Sequence, residues 1–196
     1  IVTAVYWHNA DPDGLHLTVA ETGWAKAVWG KLYGQWFAGA AVFTYDFDRF
    51  DSDKLLKRIE KYKVTTLCAP PTIYRFLIKE DLSKYNLSSL KYCTTAGEAL
   101  NPEVFNKFKE MTGIELMEGF GQTETTLTLF TAKWMRPKPG SMGRPSPAYN
   151  VDLVDEEGNS VEPGQTGEIV LRLDGEKPVG LMIGYYRDEE RTGQVM

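Results

Sequence analysis

The sequence predicts an α/β fold: a mostly parallel sheet with flanking helices, followed by a small antiparallel β subdomain. Short apolar, β-rich runs alternate with segments of helical periodicity through the first two thirds of the chain. Beyond Pro137 the apolar period changes to two. The 196 residues, 42 % hydrophobic and 12 % aromatic, suffice for a sizeable core and argue against disorder.

Residues 22 to 40 place Trp24, Val28, Leu32 and Trp36 at helical spacing among many small residues, which predicts a closely packed helix rather than an exposed one. Residues 40 to 45 read as a short buried strand. Asp51 and Asp53 then stand near the start of a helix whose Leu55, Ile59 and Tyr62 share a face. The strand Val64 to Ala69 stops at Pro70-Pro71, where a lost amide donor and a restricted backbone end the ladder. A helix follows from Thr72 to about Lys79. Leu90 to Thr95 is another strand. Asn101 caps the next helix, with Pro102 at its first position and Val104, Phe108 and Met111 on its apolar face. Gly113 closes it, Ile114 to Met117 forms a short strand, and a polar, glycine-containing loop is expected directly afterwards.

Further on, Val151 and Leu153, then Ile169, Leu171 and Leu173, alternate in and out, separated by Asp155 to Asn159 and by the Pro163-Gly164 turn. The expected division is an α/β portion over residues 1–139 and a β-rich portion over residues 140–196. Gly184 to Glu190 reads as a connection toward further chain.

Several function classes drop out. Twenty-two Lys plus Arg against 27 Asp plus Glu leave a net charge of -5, with no basic stripe, so a nucleic acid is not an expected partner. No run of 18 apolar residues offers a transmembrane segment. Cys68 and Cys93 each sit in an apolar strand and read as buried free thiols, pointing to a reducing compartment. His8 and His16 bracket Asp11 and Asp13, but no cysteine or third histidine completes a metal set.

The segment most suggestive of chemistry is Gly119 to Thr125. Parallel sheets bind ligands at the carboxyl ends of their strands, where Ala96-Gly97-Glu98 and Gly119 to Glu124 would both fall. Glycine permits close approach, a threonine hydroxyl can donate to phosphate, and a glutamate can hold a magnesium ion that also touches phosphate. Without such a cation the carboxylate would repel the phosphate. The same residues equally suit a solvated turn capping a helix, with Thr123 at the cap and Glu124 in the first turn. Gly97-Glu98 by itself also suits a plain turn.

Taken together, Cys93 to Leu100, Glu118 to Thr125, Gly140 to Pro145 and Gly164 to Ile169, with Glu21 to Trp24 and Ala69 to Thr72 upstream, resemble the adenylate-forming acyl-CoA synthetase (AMP-binding) family in order and spacing. The acetyl and medium-chain branch is the most similar. The resemblance implies a ligase in which a short- to medium-chain carboxylic acid attacks ATP to give acyl-AMP and pyrophosphate, and coenzyme A then displaces AMP. It implies that Gly97, Glu98 and Ala99 line the adenine pocket, with Glu118 at its amino edge and Phe120 beside the base. Gly119 and Gln122 belong to the same nucleotide loop, Thr123 contacts the α-phosphate, and Glu124 is the Mg²⁺ ligand. Trp24, Ala25, Lys26, Ala96 and Gly121 would border the acid. Gly121 stands where acetyl-specific relatives carry tryptophan, so open space above it is expected to admit longer acids.

The resemblance also places a phosphate loop, a ribose-binding Asp and a lysine-bearing C-terminal domain outside this sequence, so the isolated chain is expected to be inactive. It implies a role in fatty acid metabolism in the cytoplasm, or in the mitochondrial matrix of a eukaryote, with oligomerisation compatible. An acyl-adenylating enzyme that loads a carrier protein and a noncatalytic nucleotide-binding module are the alternatives.

Overall fold

Four β-α units build the centre of the molecule, a computed structural model describing residues 1–196. Strands β1 (Leu15–Thr18), β2 (Ala41–Phe43), β3 (Thr66–Cys68), β4 (Tyr92–Thr95) and β5 (Leu116–Gln122) pair in parallel in the order β2-β1-β3-β4-β5. Two antiparallel strands, β6 (Thr126–Phe130) and β7 (Arg144–Pro145), extend the sheet beyond β5. The chain leaves β1 toward β2 on one side and returns to β3 on the other. Ligands of such sheets sit at the carboxyl ends of the strands, and here a cavity lies at the ends of β4 and β5, beside that reversal rather than at it.

The helices form where their local chemistry supports them. In α2 (Ser52–Tyr62) the Asp51 carboxylate accepts from the Lys54 N–H at 3.0 Å, satisfying one free amide of the first turn. The α4 helix (Pro102–Thr112) starts as expected, with the Asn101 side chain accepting from the Glu103 N–H at 2.7 Å, and ends at Gly113. Between them α3 (Pro71–Leu77) begins at the second proline. These three helices bury Leu55, Ile59, Tyr74, Leu77, Val104 and Phe108 against Leu17, Leu67, Cys93 and Leu116 of the sheet, forming the main core. Each fully buried Leu or Ile of that layer contributes about 1.5–3 kcal/mol relative to exposure.

The opposite face of the sheet is polar where the strands alternate. His16, Thr18, Thr66 and Thr94 are buried there. His16 Nδ1 and Nε2 each lie 2.7 Å from a threonine hydroxyl, of Thr66 and Thr18, and His8 Nδ1 lies 3.1 Å from that of Thr94. The two rings meet edge to face with centroids 5.0 Å apart. Burial, joined by the Lys31 charge, pushes the His16 imidazole down to about 3. Burial, then His16 and Lys26, hold His8 well below its ordinary value. Both histidines are therefore neutral when folded, while the unfolded chain takes up protons below about pH 6.5. Stability is complete above that value and falls as pH drops, by up to about 1.4 kcal/mol per unit for each histidine. The denaturation midpoint of the complete protein is expected to fall between pH 7 and pH 5.5, and less steeply in His16→Gln. A flat profile over that window would contradict the neutral pair.

Two sequence expectations need correction. The segment 26–37 is helical, as a π-type stretch Lys26–Tyr33 running into α1 (Gly34–Phe37), but Trp24, Trp29, Tyr33 and Trp36 are all exposed. The small residues Ala27, Gly30 and Gly34 are buried instead, Gly30 against the His8 ring and Gly34 against Ala4 of the Thr3–Trp7 turn, while the large rings stay exposed. The segment after Met117 is likewise not a loop: β5 continues to Gln122, turns through residues 123–125, and returns as β6. Repeated glycines hid a strand that lacks the usual β-branched side chains. A π-type turn at Thr3–Trp7 and a 3₁₀ turn at Leu82–Lys84 complete the helical segments of this region.

The expected antiparallel pair is present as β8 (Val151–Val154) and β9 (Glu168–Leu171). Arg172 pairs with Asp152 across it at 2.8 Å. A final helix, α5 (Glu189–Val195), is capped by Asp188. No helix is long and apolar enough to cross a membrane. Cys68 and Cys93 are buried free thiols, each pushed upward chiefly by burial.

Candidate active site

Carboxyl ends of neighbouring strands gather the two chemical segments. At the end of β4, Gly97 adopts φ +103°, a conformation that a side chain would strain. Glu98 beside it is exposed and accepts from the Thr72 hydroxyl at 2.6 Å, tying the Pro70-Pro71-Thr72 corner to the Gly-Glu turn. Glu118 on β5 is buried and accepts from the Leu100 N–H at 3.1 Å. Burial raises its carboxyl, partly offset by that bond.

Residues 123–125 form the turn between β5 and β6, and their side chains diverge. Thr123 borders a cavity of about 360 Å³ that also meets Trp24, Ala25, Lys26, Ala96, Gly97, Gly121 and Gln122. Glu124 borders a second cavity, about 740 Å³, shared with Phe120, Gln122, β9 and the segment 181–196. Adjacent residues of one turn therefore face two spaces. Eight of the residues singled out in the sequence meet at the first cavity, and three, counting Gln122 again, meet at the second. Glu98, Ala99, Glu118 and Gly119 border neither. Gly119 instead lies beneath Trp7, where an added Cβ would come within 3.0 Å of the indole.

The first cavity combines aromatic walls with one cation. Lys26 Nζ donates to the Ala96 carbonyl and stands 5.6 Å from the Trp24 ring centroid. No carboxylate pairs with it among the ion pairs of the chain. A partly buried, unpaired ammonium favours an anionic group in this space. Trp29, which the sequence reading passed over, contributes another wall.

Gly121 does not behave as the open floor that its lack of a side chain suggests. It borders the cavity, yet an added Cβ would overlap the Thr126 carbonyl oxygen and lie 2.7 Å from its carbon and 2.8 Å from Leu127 Cα. Its missing side chain is directed into the returning strand. The β5–β6 register shifts between Phe120 and Gly121, bringing the two backbones together at this point.

Two tyrosines from beyond residue 140 secure the turn. The Tyr149 hydroxyl donates to the Thr125 carbonyl and lies 3.1 Å from the Thr126 hydroxyl. The Tyr185 hydroxyl donates to Glu124 Oε1 at 2.8 Å. Neither tyrosine has a local sequence signal linking it to residue 124 or 125, since the contacts span 24 and 61 positions.

The AMP-binding enzyme family profile matches residues 1–186. The chain is 40 % identical over 195 residues to acyl-coenzyme A synthetase ACSM3, mitochondrial, of Rattus norvegicus, covering 100 % of this chain and 34 % of that protein. It is 41 % identical over 187 residues to acyl-coenzyme A synthetase ACSM4, mitochondrial, of Homo sapiens, covering 95 % and 32 %. The chain thus spans about a third of the length of these curated relatives. Among solved structures, the anthranilate CoA ligase AuaEII in complex with anthranoyl-AMP superposes with a TM-score of 0.88 at 27 % identity, over 98 % of this chain and 37 % of that one. A Brucella canis acyl-CoA synthetase superposes with a TM-score of 0.83 at 26 % identity, over 95 % and 35 %. The family match over nearly the whole chain, the shared fold, and the glycine-bearing hairpin at the carboxyl end of a parallel sheet agree: the chain belongs to the AMP-binding enzyme family.

Proposed function

We propose that this chain forms the acid- and nucleotide-binding part of a ligase that joins a short- to medium-chain carboxylic acid to coenzyme A through an acyl-AMP intermediate. The observation that carries the reading is the single turn whose Thr123 borders one cavity while Glu124 borders the other. An acid held in the first cavity would present its carboxylate at Thr123, with the unpaired Lys26 charge drawing it in. A nucleotide on the far side of the turn would bring its α-phosphate to the same point. The base is proposed to lie against Phe120, which borders the second cavity, and to extend past it toward the Gly97-Glu98-Ala99 turn and Glu118, with Gly119 and Gln122 shaping the hairpin beside it. Residues 1–139 and 140–196 are proposed as the α/β and β-rich portions of this unit, working in the cytoplasm or the mitochondrial matrix.

In this reading the acid is already ionised and attacks the α-phosphorus itself, so the protein supplies orientation and charge compensation rather than a nucleophile. The Thr123 hydroxyl donates to a phosphate oxygen that gains charge as attack proceeds. Glu124 suits Mg²⁺: a single carboxylate with one oxygen tied to Tyr185 and the other available matches an ion held by one or two carboxylates together with substrate phosphates. Bound there, Mg²⁺ would neutralise charge on the transferring phosphoryl group.

Acid-dependent exchange of pyrophosphate into ATP by the complete protein tests this assignment. Thr123→Val is expected to slow exchange about tenfold to a hundredfold across acids of two to eight carbons while leaving their relative order unchanged. Undiminished exchange in Thr123→Val would remove the proposed phosphate contact.

A further inference from the structure

The segment after Gly180 holds Glu124 at two points. The Met182 N–H donates to the Glu124 carbonyl at 2.7 Å, and the Tyr185 hydroxyl donates to Glu124 Oε1 at 2.8 Å. Tyr185 is itself fixed. Its N–H donates to the Thr192 hydroxyl at 2.9 Å, and the Arg191 guanidinium lies 4.2 Å from its ring centroid. Thr192 in turn donates from its hydroxyl to the Asp188 carbonyl at 2.7 Å, fastening the start of α5 to the loop. The carboxylate is thus oriented by a chain of contacts running from α5 through one phenol.

We infer that Tyr185 is a positioning residue for Glu124, holding Oε1 so that Oε2 is presented to a divalent cation. The inference rests on the proposed role of Glu124 and assigns Tyr185 no contact with substrate. Chemically, the phenol can only donate to an ionised carboxylate, so it secures one oxygen without neutralising the charge. A glutamate side chain otherwise samples several rotamers, and a ligand that must first be ordered binds its metal more weakly. The backbone bond from Met182 fixes where residue 124 begins, and the Tyr185 bond fixes where its carboxylate ends.

Tyr185→Phe in the complete protein removes the hydroxyl and retains the ring beneath Arg191. Mn²⁺ affinity, measured by electron paramagnetic resonance with α,β-methylene-ATP present, is expected to weaken about tenfold, with the Mg²⁺ concentration needed for half-maximal exchange rising in parallel. The KM for the acid should stay unchanged, as should every value in the neighbouring control Tyr186→Phe. Glu124→Gln, measured the same way, separates the two assignments. Weaker Mn²⁺ binding in Glu124→Gln but not in Tyr185→Phe would overturn the inference and leave the role of Glu124 standing. Unchanged binding in Glu124→Gln would remove both. An equal loss of metal, acid and nucleotide affinity in Tyr185→Phe would mark a general structural defect and also overturn the positioning role.

Discussion

Glu124→Gln in the complete protein is expected to slow acid-dependent pyrophosphate exchange about a hundredfold at saturating ATP and Mg²⁺. The amide matches the carboxylate in size and can still meet the Tyr185 hydroxyl, since its carbonyl oxygen accepts as Oε1 does. The Met182 bond reaches the backbone and survives any substitution at this position. What is lost is the negative charge. A cation bridging protein and phosphate would then be held by phosphate oxygens alone, and charge developing on the phosphoryl group would be less fully compensated. The defect should appear in kcat more than in the KM for the acid, because the acid cavity borders Thr123 rather than Glu124. Near-normal exchange in a folded Glu124→Gln protein would show that the carboxylate is not the metal partner.

The contrast between what the sequence announced and what only the structure revealed follows from the range of the interactions. The cap at Asn101 bridges two residues and could be read directly, whereas Asp51 was placed only near the start of its helix and the structure adds its bond to the Lys54 N–H. Strands β3 and β4 carry continuous apolar and β-branched runs, which a doubly covered parallel sheet requires. The hairpin β5–β6 was obscured because its first strand is built from Glu118, Gly119, Phe120, Gly121 and Gln122, whose composition reads as loop. The helix at 26–37 was given the wrong buried face because large apolar residues usually turn inward. Here Ala27, Gly30 and Gly34 are packed instead, with Gly30 beside the His8 ring. Clustering of the Trp24, Gly97 and Thr123 segments at one crevice agrees with the strand-end rule, whereas the clamp on Glu124 depends on a tyrosine 61 positions away. Likewise Glu118 stood out as a polar residue in a chemical segment, but its bond to the Leu100 N–H belongs to the tertiary structure.

Gly121→Trp is expected to depress exchange with every acid alike, rather than shift preference toward acetate or propionate. The sequence-based expectation treats the residue as a vacant floor on which an indole would shorten the cavity. The geometry directs the new side chain elsewhere. Its first carbon would overlap the Thr126 carbonyl oxygen and crowd Leu127 Cα, so β6 must move before any ring atom is accommodated. Those atoms are backbone and cannot rotate aside as a side chain can. Thr126 already holds φ +60°, an uncommon conformation for a β-branched residue, and its hydroxyl meets Tyr149, so the hairpin has little freedom to yield. Displacing β6 would also move the turn at 123–125 and with it both Thr123 and Glu124. A loss of about 1–3 kcal/mol in stability is expected from the overpacking alone. Gly121→Ala isolates the cause, because a methyl adds almost nothing to fill the cavity yet meets the same backbone. Comparable losses in Gly121→Ala and Gly121→Trp, with lowered melting temperatures and an unchanged ranking of acids from two to eight carbons, would identify backbone approach as the constraint. A stable, active Gly121→Trp protein that selectively rejects the longer acids would instead restore the residue as the gate of the cavity.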